Sequence, residues 1–209
     1  MSKILNSEKL LYLLSSLILV SFLSGFLIGE NSAGAGGYNG DLQHTWKNLQ
    51  TFKNNSIIDA IKITGKSNSH LSEDNYFQGT RPPLIYIIQS LNPLIYSKNS
   101  FLLNVFLLSI FTYIIFFVVC SVYYKSESKI LLISFSCILI LSPYFRTSSY
   151  WGLEENYAVL TTICTAYFYL KLNNNIFFRK KKYIFLMILF SSLSVYFDQK
   201  FIIVPLLCF

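Results

Sequence analysis

Charged side chains are scarce in this chain: Asp, Glu, Lys and Arg make up 13% of its 209 residues, against 53% that are apolar. The mean hydropathy is +0.48. One soluble core cannot hide that much apolar surface, and a soluble domain carries about twice the charge, so the composition places the chain in a bilayer. Histidine occurs twice and cysteine four times. His44 and His70 have no neighbours at ligand spacing, so they read as loop histidines rather than metal ligands. Cys120, Cys137, Cys164 and Cys208 all fall in apolar stretches, where a thiol behaves as a small hydrophobe, so neither a disulfide framework nor a metal cluster is implied. No internal repeat is evident. The net charge of +7 does not point to nucleic acid, because its densest part, FRKKKY at 178–183, lies between two apolar segments, as a cytoplasmic loop does.

What the chain has in quantity is long apolar runs, which predict an all-α, polytopic transmembrane fold. LLYLLSSLILVSFLSGFLI, residues 10–28, is uncharged and long enough for a helix to cross about 30 Å of hydrocarbon. A signal peptide is the competing reading, since Lys3 and Lys9 precede the run and SAGAG follows it. The run exceeds the roughly 7–15 residues of a signal-peptide core. Further spans are expected at 100–124, 130–143, about 153–172, 183–197 and from 201 onward. The segment PPLIYIIQSLNPLIY, 82–96, is too short to cross and contains Gln89, Asn92 and Pro93, so it is expected to lie along the membrane surface.

Three regions follow: a tail and first span at 1–29, an extracytoplasmic loop with amphipathic helices at 30–99, and a transmembrane bundle at 100–209. The N-terminus is then cytoplasmic. Lys125, Lys129, Lys171, Arg179, Lys180, Lys181 and Lys182 fall on the same side, as the positive-inside bias requires. Within the loop, Leu42, Trp46, Leu49 and Phe52 recur at helical spacing and Asp41 stands at the expected N-cap; IIDAIKI, 57–63, extends the helical pattern, and KSNSHLSEDN, 66–75, reads as irregular. The last segment, FIIVPLLCF, stops well short of a span, which reads as a truncated chain.

Ionisable side chains gather on the outer face: Asp41, the pair Glu73 and Asp74, the stretch from Arg146 to Glu155, and Asp198 with Lys200. Their convergence at a membrane edge is a functional signal. Each also has an ordinary role: a helix cap for Asp41, snorkelling for Arg146 and Lys200, and an acidic first helical turn for Glu154 and Glu155.

NYFQGTRPPLIYII, 75–88, resembles the membrane glycosyltransferases that use polyprenyl-phosphate sugars, particularly the protein O-mannosyltransferases and lipid A aminoarabinose transferases of the GT-C superfamily. Tyr76, Phe77, Arg81, Pro82, Pro83, Leu84 and Tyr86 carry the likeness. LILSPYFRTSSYWGLEENYAVL is similar to the family's segment in which a span ends at Ser-Pro, an arginine follows and an acid opens the next helix, and SSLSVYFDQKFIIVPLL is similar to its basic residue after a span. The resemblance covers the whole chain as an N-terminal portion.

It implies that Asp41 is the general base or helps bind a divalent metal, that Arg146 and Lys200 contact the donor phosphate, and that Glu73, Asp74, Arg81, Tyr86 and Glu154 belong to the substrate region. Gly40 and Leu42 flank a single aspartate where many relatives have two adjacent acids, which favours the base over the metal. The implied partners are a polyprenyl-phosphate-linked sugar, membrane lipid and a glycan, lipid or protein acceptor, at the plasma (inner) membrane if the source is bacterial. The alternative is a transporter or a non-catalytic membrane assembly subunit, which calls for polar residues or broken helices within the bilayer.

Overall fold

The computed structural model describes residues 2–30, 36–69, 82–174 and 180–208, and these form helices and turns with no strand. Glu73, Asp74, Arg81, His70 and Arg179 lie outside the described residues. Helix α1 (Ser2–Leu27) contains the expected first span. Its segment from Glu8 to Leu27 and all of α5 (Lys98–Tyr123) are long and apolar enough to cross a membrane. A third crossing results if α6 (Lys129–Leu141) and α7 (Pro143–Trp151) count as one bent span. Most of α1 faces outward, with Leu13, Leu17, Val20 and Leu23 exposed, while Ser15 and Phe22, seven residues apart, point inward. Ser15 Oγ and Ser134 Oγ meet at 2.9 Å, which ties α1 to α6.

The expected segment at 130–143 is one helix from Lys129 to Leu141, and it ends at Ser142-Pro143. Pro143 brings no N–H to the ladder and pushes the residue before it out of the helical region, so Ser142 is extended (φ −62°, ψ 119°) and the chain turns by 65°. Ser142 ends α6 and starts α7, accepting from the Phe145 amide at 3.5 Å, with Pro143 in the first helical turn. At 13 residues, α6 is only about 20 Å long. Helix α7 lies across the bundle end, touching α5, α6 and α8, and stops at Gly152, whose left-handed φ of 71° closes the last turn.

Helices α8 (Glu155–Asn174) and α9 (Lys180–Phe197) form an antiparallel hairpin. Tyr157 meets Phe197 at one end and Phe168 meets Tyr183 near the other. Both were expected to cross; they are less apolar than α1 and α5, because α8 carries Glu155, Asn156 and several threonines and α9 opens on three lysines. The chain finishes in a short 3-10 turn (Gln199–Ile202) and α10 (Ile203–Cys208).

The segment between α1 and α5 caps one end of this bundle. Helix α2 (Gly36–Asn54) buries Leu42, Leu49 and Phe52 with Trp46 packed beside them, as its periodicity predicts. It starts at Gly36, however, so Asp41 lies in its second turn and is not the N-cap. Ser56 breaks the helix and caps a separate α3 (Ile57–Ser69), accepting from the Asp59 amide at 3.2 Å. Residues 66–69 of the stretch expected to be irregular are helical, and its remainder, 70–75, lies outside the described residues. Helix α4 (Leu84–Ser90) has seven residues, about 10 Å of helix, far too short to cross. One side of it is packed, with Ile85 and Tyr86 buried in one core with Leu42, Phe52, Phe101, Tyr157 and Phe197, while Ile88, Leu91 and Leu94 are exposed. Packing is thus continuous across residue 99.

Candidate functional site

The end of the bundle covered by α2 and α4 is where α8 begins and α9 finishes, and that connectivity collects the charges. Glu154 and Glu155 open α8, where carboxylates are favoured by the unpaired amides and the helix dipole. Asp198 follows α9 and caps the 3-10 turn, its Oδ1 accepting from the Lys200 amide at 3.0 Å. All three acids are less than a tenth exposed. Lys200 is the cation among them, with Nζ 3.6 Å from Glu155 Oε1 and 3.8 Å from Asp198 Oδ2.

Tyr144 completes the group. Its hydroxyl donates to Asp198 Oδ2 at 3.3 Å, and the Lys200 ammonium stands 5.6 Å from its ring centre. Because α7 turns away from the membrane-length helices, Tyr144 sits at the bundle end. Burial, and then the negative charges of Glu155, Asp198 and Glu154, push its phenol well above the ordinary value, so it stays a donor. Among the described residues the cluster holds three buried carboxylates and one exposed lysine. The second oxygen of Glu155 is buried with no hydrogen-bond partner among the described residues.

Arg146 belongs to a different group. It is two residues from Tyr144 on α7, a rotation of about 200°, so it faces the opposite side. There its Nε donates to Glu30 Oε1 at 3.1 Å, its Nη2 donates to Glu30 Oε2, and the same nitrogen reaches the Ser21 carbonyl at 2.9 Å. The Tyr150 ring lies 5.5 Å from the guanidinium, and the Tyr150 hydroxyl donates to the Phe22 carbonyl at 2.6 Å. Arg146 and Tyr150 therefore fasten α7 to α1. The two expected phosphate contacts, Arg146 and Lys200, sit among different partners.

Of the other expected site residues, Asp41 is half-buried on α2 beside the fully buried Leu42, so the helix carrying it is firmly seated. Tyr86 is a core side chain, 4% exposed, stacked on Phe52 with ring centres 5.8 Å apart. Glu154 is buried at the start of α8. No group of three His, Cys, Asp or Glu among the described residues is arranged to hold a metal ion.

Two features escape sequence reasoning. Glu30 reads as a loop acid after a span, with no signal that Arg146 lies opposite it. Asn156, fully buried, donates to Ser109 Oγ at 2.7 Å and Ser149 Oγ at 2.8 Å, joining α5, α7 and α8 behind the acidic cluster. An amide one residue after two glutamates looks like helix-surface polarity until the helix is packed. No family model, no curated protein and no solved structure matches this chain.

Proposed function

We propose that this chain is a multi-pass membrane glycosyltransferase, with its N-terminus cytoplasmic, that moves a sugar from a polyprenyl-phosphate donor to an acceptor on the extracytoplasmic face. The observation that carries the reading is the collection of ionisable side chains at one end of an apolar bundle, under the amphipathic α2, while Lys125, Lys129, Lys171 and the lysines opening α9 lie at the other. That division suits a reaction at the outer surface and the positive-inside bias.

In this reading Asp41 takes the proton from the acceptor hydroxyl as its oxygen attacks the anomeric carbon, and the polyprenyl phosphate leaves with the bonding pair. Lys200, two-thirds exposed, is the accessible cation for that phosphate. Arg146 already holds the Glu30 carboxylate through two nitrogens, the fork geometry with which guanidinium grips phosphate, so a donor would displace Glu30 to reach it.

The test is Asp41→Asn in membranes supplied with polyprenyl-phosphate sugars. Asp41 lies inside α2 and does not cap it, so an amide leaves the helix intact, yet it cannot accept the proton. Turnover should fall at least about 100-fold with donor binding retained. Retained turnover would remove Asp41 from the mechanism and move the search for the base to Glu73 and Asp74.

One observation favours the transporter alternative: the broken α6–α7 pair beside the buried Asn156 and Ser109 is the kind of interruption that lines a transport path. Uptake of labelled sugar into proteoliposomes without a glycosylated product would select it.

A further inference from the structure

Below the Glu155 and Lys200 pair, α8 and α10 are separated by an apolar groove of about 250 Å³. Thr162, Ala166 and Tyr169 line it from α8, and Val204, Leu207 and Cys208 from α10. Glu155, Thr162 and Tyr169 are spaced by seven residues, so they lie along one face of α8 and the acid stands two turns above the groove. Lys200 precedes α10 by one short turn. The groove therefore has a charged mouth with both signs in it: an exposed ammonium, and a buried carboxylate whose Oε2 has no hydrogen-bond partner among the described residues.

We infer that this mouth and groove form a binding site for an aminophospholipid, a lipid whose headgroup carries a phosphate and a primary ammonium. The inference rests on the membrane placement proposed above and not on the transferase chemistry. In the resting protein the Lys200 ammonium sits against Glu155 and Asp198 as a stand-in for the headgroup amine. Its long, exposed side chain swings out to the lipid phosphate, and the lipid ammonium takes its place between the two carboxylates. The two contacts of Lys200 to Glu155 and Asp198 are exchanged for contacts of the lipid ammonium to the same carboxylates, and Lys200 gains the lipid phosphate. An acyl chain then descends between α8 and α10.

The charge pattern selects among headgroups. A glycerol headgroup leaves Glu155 and Asp198 facing a phosphate. A choline headgroup cannot donate hydrogen bonds to them, and Tyr144 alone is no aromatic cage. A serine headgroup adds a carboxylate to an acidic cluster. Ethanolamine satisfies both partners.

The purified chain in detergent, offered equal amounts of phosphatidylethanolamine, phosphatidylcholine and phosphatidylglycerol, should retain the first over the others by about tenfold in native mass spectrometry, the discrimination that one charge-assisted contact supplies. Glu155→Gln, nearly isosteric, should abolish the preference. Leu207→Trp, at a position 79% exposed and so harmless to the core, should fill the groove and lower retention of all three. Equal retention of phosphatidylglycerol, or a preference that survives both substitutions, would overturn the site. A polyprenyl phosphate added to the mixture should compete through Lys200 yet be indifferent to Glu155→Gln. Since binding is read without turnover, failure here leaves the Asp41 reading standing, and the reverse holds.

Discussion

At the scale of single residues, the junction of Gly25, Glu30, Arg146 and Tyr150 holds the first helix to the rest. A Cβ on Gly25 would come closer than 3.0 Å to Glu30 Oε2, the Tyr150 hydroxyl and Arg146 Nη2 at once. Gly25→Ala should therefore break the ion pair or push α1 from α7, costing about 1–3 kcal/mol as other overpacked sites do. Thermal unfolding in detergent would read this as a lower midpoint, and an unchanged midpoint would mean that the guanidinium has room to move. The sequence offers Gly25 only as a small residue in a span, LSGFL, and cannot say that an arginine 121 positions later needs the space. The acids opening α8 were legible, because helix starts favour carboxylates whatever they pack against. The pairing of Glu155 with Lys200 was legible only as a shared face, since a salt bridge between α8 and the turn after α9 depends on how the hairpin closes.

At the scale of elements, apolar runs and their periodicity located most of the helices. The run from Ile130 ends at Ser-Pro, where the serine before a proline is extended, and the sequence marks that stop; what it does not say is that the helix that follows departs at 65°. Asp41 is the correction: the apolar periodicity starts beside it, yet α2 begins earlier, at Gly36. Glycine's poor helix propensity is overridden when Leu42, Leu49 and Phe52 dock the rest of the helix.

The end of α7 provides a sharper test. Gly152 holds φ 71°, and a Cβ there would fall 2.7 Å from Phe101 Cε1. Gly152→Ala should lower the unfolding midpoint through a left-handed residue worth about 1–2 kcal/mol of strain, plus the displaced ring. Gly152→Asn tolerates the conformation but keeps the Cβ, so it should recover only part. Full recovery would assign the whole effect to the backbone.

At the scale of the whole molecule, the proposed topology puts α2 outside and the start of α9 inside. In a background with all four cysteines replaced by serine, Lys47→Cys should react with an impermeant maleimide on intact cells and Lys181→Cys should not. Labelling at Lys181 would reverse the orientation and remove the outer-face reaction with it. The sequence by itself determined that the chain is helical and rich in helices fit for a membrane, because hydrocarbon-length apolar runs with so few charges have no other way to satisfy their backbone. It also marked the charged residues that flank the apolar runs, since a charge within hydrocarbon is costly. Only the tertiary structure decided that Arg146 turns to Glu30 while Lys200 turns to Glu155 and Asp198, and that Tyr86 is core. Those choices depend on the rotation of α7 about its axis and on the seating of α2 and α4 over the bundle, and rotation and seating are set by packing between segments far apart in the chain.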